Sequence, residues 1–269
     1  MKKIQNQLKN FTTHQGETES LEMMKQTVLN DKETGDIDVS LIHNLSTAYL
    51  YLQLRGFEKD GYLPVLVKNP YLEIKYVATK EKTMQLKRTK YINCFGEDSR
   101  DIEASLEKFR TNTASRKKAL KLANDIVGGN VSHGLYIHSG EFQIGKTYLA
   151  NAITNALVDK GMHGSFLFAP SLARQAKEFD QVESRIRTLN DSDLLVIDDI
   201  GAEHRSPWFR NEVLMPLLQH RLANKKLTIF TSNYSIEELG DLYGPSVDTR
   251  RLITRILELA EVIHLDDST

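Results

Sequence analysis

Two short segments carry residue types that can do chemistry together. Gly140, Glu141, Phe142, Gln143, Ile144, Gly145, Lys146 and Thr147 fit the pattern GxxxxGK followed by Ser or Thr, and 194–199 is an apolar run, LLVID, that ends in a second carboxylate, Asp199. The spacing describes a site for a nucleoside triphosphate, with loop amides and a lysine for phosphates and a hydroxyl and an aspartate for Mg²⁺. Lys146 is expected to neutralise phosphate charge, and Tyr148, opening the next helix, joins the loop as a nucleotide-binding residue. Thr147 and Asp198 are the expected metal ligands. Asp199 is expected to orient and deprotonate the attacking water; the alternative is a helix cap or turn residue.

Two further positions complete the catalytic set. Asn233 ends the run 227–233, where it could hydrogen-bond the attacking water or the γ-phosphate, or act as a turn residue before a helix capped by Ser235. Arg251 and Arg255 lie four residues apart on one helix face, spaced to point together at a neighbouring subunit's γ-phosphate, or to form a surface pair.

These residues need a scaffold that brings strand ends together. The run 134–139 reads as a short strand and 146–160 as a helix with alanine and leucine at helical spacing, so the glycine loop joins strand to helix. Four consecutive apolar residues at 194–197 leave no solvated face, as in a buried parallel strand whose C-terminal edge presents its ligands. Strands at 165–169, 226–232 and 261–265 alternate with helices at 171–187, 206–223 and 249–260, which describes an α/β fold. A helix at 114–127 stops at Gly128-Gly129. Upstream, 17–30 and 39–54 read as helices, the second capped by Ser40 or Asp38, and 63–68 with 71–79 as a hairpin around Asn69-Pro70. Residues 80–110 show no core pattern and are assigned to an inter-domain link, which gives domains 1–105 and 106–269.

Composition excludes several classes. With 269 residues and 40% hydrophobic content the chain can bury one large or two modest cores and is not disordered. The single cysteine, Cys94, excludes an internal disulfide and any multi-cysteine zinc site and suits a reducing cytosol. No run reaches the roughly 18 apolar residues of a membrane span, and the N-terminus lacks a signal-peptide core, so a cytoplasmic location is expected. A net charge of -1 gives no global attraction to nucleic acid. Local candidates for DNA contact are Arg116-Lys117-Lys118, Lys225-Lys226 and Arg250-Arg251.

The runs LLVIDDIGAEHRSPWFRNEVLMPLLQHRL (194–222), TIFTSNYSIEEL (228–239) and RLITRILELAEVIHL (251–265) resemble the AAA+ helicase loaders of the DnaI type, relatives of DnaC, and GYLPVLVKNPYLEIKY (61–76) is similar to their helicase-binding domain. The resemblance implies a RecA-like AAA+ P-loop domain with a parallel sheet, helices on both faces and no lid, and a smaller α+β N-terminal domain at 1–105. It further implies ATP hydrolysis, a hexameric replicative helicase and single-stranded DNA as partners, and self-assembly through the Arg251/Arg255 helix. Asn233 takes the place of sensor 1, and Arg255 is the favoured arginine finger. Three departures matter. The loaders' N-terminal zinc cysteines have no counterpart, so no zinc is expected; Gln143 stands where glycine is common; and the chain ends soon after 261–265, without a helical lid. A transposition helper ATPase of the IstB type, a small-molecule phosphotransferase, and a nucleotide-gated switch with little turnover remain as alternatives.

Overall fold

The computed structural model describes residues 14–90, 92–95, 100–171, 186–203 and 207–267, and the chain divides into two compact units, Met1–Thr83 and Met84–Thr269. In the first unit, α1 (His14–Leu29) and α2 (Ile42–Leu54) precede an antiparallel hairpin of β1 (Tyr62–Val67) and β2 (Glu73–Ala78). Its register runs from Tyr62 opposite Ala78 to Val67 opposite Glu73, so Asn69-Pro70 lies in the connection, where the missing N–H of proline removes nothing from the ladder. Val28, Ile37, Leu45 and Ala48 form the core, with Leu66 and Leu72 packed against it.

The start of α2 differs from the sequence expectation. Asp38 Oδ1 accepts the Ser40 N–H at 2.9 Å and also the Ser40 hydroxyl. The two candidate caps therefore bond each other in a local turn, and the helix starts beyond them with Leu41 at its cap position.

The second unit is built on a six-stranded sheet of β3 (Ile92–Phe95), β4 (Gly134–His138), β5 (Gly164–Phe168), β6 (Leu194–Asp198), β7 (Leu227–Ser232) and β8 (Ala260–His264). The spatial order is β3-β5-β6-β7-β4-β8 and every pairing is parallel. Residues 80–110, patternless as sequence, contribute α3 (Lys80–Lys90) and the four-residue edge strand β3. Alternate strand residues feed two cores, one on each face. Leu194, Val196, Leu135 and Ile137 pack with α4 (Ala114–Gly128) and α5 (Lys146–Asp159), while Leu195, Ile197, Tyr136 and Phe230 pack with α6 (Met215–Ala223), α7 (Ile236–Tyr243) and α8 (Val247–Leu259).

Local signals explain the boundaries. Thr113 caps α4 by accepting the Arg116 N–H, and Gly129 closes it in the left-handed conformation at φ 76. The first residue of β4 is Gly134, where a Cβ would lie 1.7 Å from the Thr228 carbonyl oxygen of β7 and no other residue fits. Pro216 has no N–H for the preceding turn, and the chain just ahead of it, Phe209–Leu214, forms a π-helical turn closed by Met215 N–H to Arg210 O. Of the helix expected at 171–187, residues 172–185 lie outside the described residues, and 186–191 are helical. Among the described residues no helix is long and apolar enough to cross a membrane.

Candidate functional site

The chain leaves β4 for β5 on one side of the sheet and returns to β8 on the other, so the crevice beyond the C-terminal end of β4 is a topological switch point. The loop 139–145 spans this crevice and delivers the chain to α5, whose cap position is Gly145 at φ 94 with no side-chain bond to the first turn. The leading amides of α5 thus point at the crevice with the positive end of the helix dipole. Lys146 folds back beneath the loop, its Nζ donating to Ser139 O at 3.0 Å and Glu141 O at 2.8 Å. Burial lowers its pKa, opposed by Asp199 and Asp198. Gln143 adopts φ 57, a left-handed conformation in which a side chain is strained, so its replacement of glycine bears on the loop backbone.

Asp198 ends β6, is 2% exposed, and accepts from Thr147 Oγ1 at 2.9 Å and Thr231 Oγ1 at 2.6 Å through Oδ1. The expected strand 194–199 stops one residue short. Asp199 turns out of the sheet at φ 59, and its N–H donates to Thr231 Oγ1 at 2.9 Å. The Thr231 hydroxyl therefore bridges the two carboxylate residues, a role its sequence position did not disclose. Asn233 Nδ2 donates to Asp199 Oδ1 at 3.1 Å, so both residues, each also readable as a turn residue, face one another at the strand ends. Burial raises the Asp199 pKa, the Asp198 charge raises it further, and Lys146 opposes both.

These groups line one cleft of about 380 Å³, formed by Phe142 to Tyr148 together with Phe168, Asp198, Asp199, Thr231 and Asn233. Gly140 and Glu141 lie outside this lining, with Glu141 serving through its carbonyl. A second hollow of about 370 Å³ shares Gln143, Ile144, Gly145 and Tyr148 and adds Phe109 and Arg116. There the Phe109 and Tyr148 rings stack at 6.5 Å. Arg116, 4% exposed, lies 5.6 Å over the Phe109 ring and donates to Ile144 O at 2.6 Å and Asp266 O at 2.9 Å. Its guanidinium is thus part of the loop's support, which removes it from the candidate DNA contacts. Lys226 Nζ likewise bonds Asn190 O and Asp191 O, both at 2.7 Å. Arg251 and Arg255 are not part of either lining. On α8 they pair with Asp248 and Glu258, with side chains 70% and 35% exposed.

The donor set suits a magnesium–triphosphate pair. Thr147 and Asp198 offer hard oxygen donors side by side, and Mg²⁺ characteristically takes one or two protein ligands, filling the remainder with water and substrate phosphate. Among the described residues no group of three or more His, Cys, Asp or Glu side chains could hold a metal ion.

Known proteins place this arrangement. The replicative helicase loader DnaI of Bacillus subtilis (strain 168) is 36% identical over 143 residues, 49% of this chain and 46% of DnaI, so the match spans just under half of that relative. The replicative helicase loader DnaC of Escherichia coli (strain K12) is 26% identical over 185 residues, 66% of this chain and 74% of DnaC. A crystal structure of DnaI superposes with a TM-score of 0.62 at 29% identity, covering 68% of this chain and 98% of the solved one. The second unit is accordingly a RecA-like P-loop domain of the AAA+ kind. Residues 133–269, more than half of the sequence, match the family model described as IstB-like ATP binding protein, and the chain belongs to that family.

Proposed function

We propose that this protein is an ATPase that loads a replicative DNA helicase onto single-stranded DNA during initiation or restart of replication. The observation that carries the reading is the meeting of Lys146, Thr147, Asp198, Asp199 and Asn233 around one cleft in a chain similar to DnaI and DnaC. ATP would enter with its phosphates against the loop amides and Lys146 and its base in the Phe109–Tyr148 hollow. Magnesium, when bound by Thr147 and Asp198, supplies charge neutralisation at the phosphates. Asp199, with its raised pKa, accepts the proton of the attacking water, and Asn233 fixes the carboxylate that does so. Arg255, with Arg251 beside it, reaches the γ-phosphate of an adjacent copy, where an arginine stabilises charge on the transferred group.

The helicase contact belongs to the first unit, Met1–Thr83 and not 1–105 because β3 joins the second unit's sheet, and its hairpin leaves Val65, Tyr76 and Val77 exposed at 41%, 55% and 51%. Bound ATP favours DNA and helicase contact, and hydrolysis favours release. The test mixes the full chain with the replicative helicase of its source and a closed single-stranded DNA circle. ATP-dependent transfer of helicase to the circle is expected, and Lys146→Ala should abolish it. Transfer unaffected by that substitution would defeat the coupling. The family description favours a second reading, a transposition helper, and binding to a transposase in place of helicase would select it.

A further inference from the structure

Beyond the strand end, the turn 199–203 contains a buried acid that the reaction does not use directly. Glu203 is 4% exposed. Its Oε2 accepts the Gly201 N–H at 2.7 Å, and its Oε1 accepts the hydroxyl of Tyr243, the last residue of α7. The Tyr243 ring in turn lies 4.6 Å beneath the Arg210 guanidinium. The turn it grips is conformationally demanding. Asp199 and Gly201 stand at φ 59 and 97, and a Cβ on Gly201 would lie 2.8 Å from the Tyr234 ring and 2.9 Å from Leu239. Its other end is tied to β7 by Ile200 N–H to Thr231 O at 2.9 Å and Ser232 Oγ to Ile200 O at 2.7 Å.

We infer that Glu203 is a positioning residue for hydrolysis: it latches the 199–203 turn to α7 and thereby holds the Asp199 carboxylate in its left-handed, water-facing setting. A left-handed non-glycine residue costs roughly 1–2 kcal/mol, and it persists only where neighbours over-determine it. On the β7 side, Thr231 and Ser232 supply that constraint. On the other side, among the described residues, Glu203 supplies it through its bonds to Gly201 and Tyr243. Burial of an acid is unfavourable and raises the Glu203 pKa, with the Tyr243 and Gly201 bonds and Arg210 acting against that, so the group is held at a cost to stability in a place where it contacts the catalytic turn.

This inference rests on the ATPase reading above and predicts a split between turnover and binding. In the full chain, Glu203→Ala should lower kcat for ATP about ten- to a hundredfold, in line with the effect of slight misplacement of a catalytic group, while the Kd for a fluorescent ADP analogue changes less than about threefold. Glu203→Gln, which still offers an oxygen to Gly201 N–H, should restore most of the rate. Tyr243→Phe, which removes only the hydroxyl, should lose about two- to fivefold in kcat and serves if Glu203→Ala does not fold. Wild-type kcat in Glu203→Ala or in Tyr243→Phe, or loss of kcat and nucleotide affinity together, would overturn the assignment while leaving the ATPase reading intact. A wild-type chain with no ATP turnover, with or without DNA and helicase, would overturn that reading itself.

Discussion

The two edges of the parallel sheet are built on opposite principles. At the edge where β6 and β7 begin, Arg221 of α6 is wholly buried, and its guanidinium donates to the carbonyls of Leu189, Ser192, Asp193 and Leu227 and to Thr228 Oγ1. Burial brings its pKa down to about 10, which leaves it charged at neutral pH. At the edge where β4 and β6 end, one hydroxyl, Thr231 Oγ1, donates to the Asp198 carboxylate and accepts the Asp199 backbone N–H, and Gln143 and Asp199 hold left-handed backbones. The beginning edge also has a left-handed residue, Lys225, but in an exposed turn after α6. One edge turns a buried charge inward onto five acceptors and stabilises the fold. The other keeps charges and strain facing a cleft, where they can act on a substrate.

The largest expected effect breaks the first edge. Arg221→Met removes the donor to all five acceptors in the buried space between α6, β6 and β7, and at 1–3 kcal/mol for each group left unsatisfied the loss should be at least about 3 kcal/mol. Urea unfolding monitored by far-UV circular dichroism measures it. A loss under about 1 kcal/mol would mean the surrounding carbonyls find other partners and the contrast between edges is overstated.

Asp199→Asn is the complementary test at the second edge. Loss of a general base typically removes a factor of 10²–10⁴, so kcat should fall at least about a hundredfold, with stability unchanged within about 1 kcal/mol. Turnover that survives, with binding intact, would reassign the base. A stability loss as large as that of Arg221→Met would erase the distinction between the edges.

Much of the second edge was legible in the sequence and almost none of the first. Glycines, lysine and threonine at fixed spacing identify a phosphate loop because the loop is contiguous, and 194–197 declares a buried strand by having no polar face. Thr231 was not legible as a bridge, because its contact with Asp198 depends on β6 pairing with β7 across 33 residues. Arg221 reads as an ordinary basic residue near a helix end; only the approach of 189–193 buries it. Arg116 failed for the same reason, its charge cluster suggesting solvent where Ile144 and Asp266 enclose it. Edge strand β3, four residues long, is too short to carry a period.

A smaller effect concerns pH. Asp199 and Glu203 both have folded pKa values raised by burial. A raised acid binds its proton more tightly when folded, so its contribution to stability is complete below the unfolded value of roughly 4 and is lost as pH rises through the folded value. The double variant Asp199→Asn, Glu203→Gln should therefore flatten the dependence of unfolding free energy on pH above about 4, measured by denaturation at several pH values. Carboxylates of the first unit pull the other way, Asp31 being lowered chiefly by its Arg55 hydrogen bond and Glu33 by the Tyr51 hydroxyl and then Arg55, and the variant should leave their acid-side loss untouched. A pH profile identical to wild type would mean the second edge carries no titrating strain.

The smallest expected effect isolates strain in the loop itself. Gln143 at φ 57 pays roughly 1–2 kcal/mol relative to glycine in that conformation, yet glycine also gains about 0.5–1 kcal/mol of unfolded-chain entropy. The two terms oppose, so Gln143→Gly should raise stability by no more than about 1.5 kcal/mol. Gln143→Val, whose branched side chain tolerates a left-handed backbone poorly, should lower it instead. The sign difference between these variants, read by thermal unfolding, is the informative quantity. Opposite signs mean the loop keeps its left-handed turn whatever residue occupies it, because Arg116 holds Ile144 and Lys146 holds Glu141 on either side. Equal and near-zero changes would mean that the backbone at 143 relaxes freely, and then the second edge would owe its form to a ligand and not to the fold.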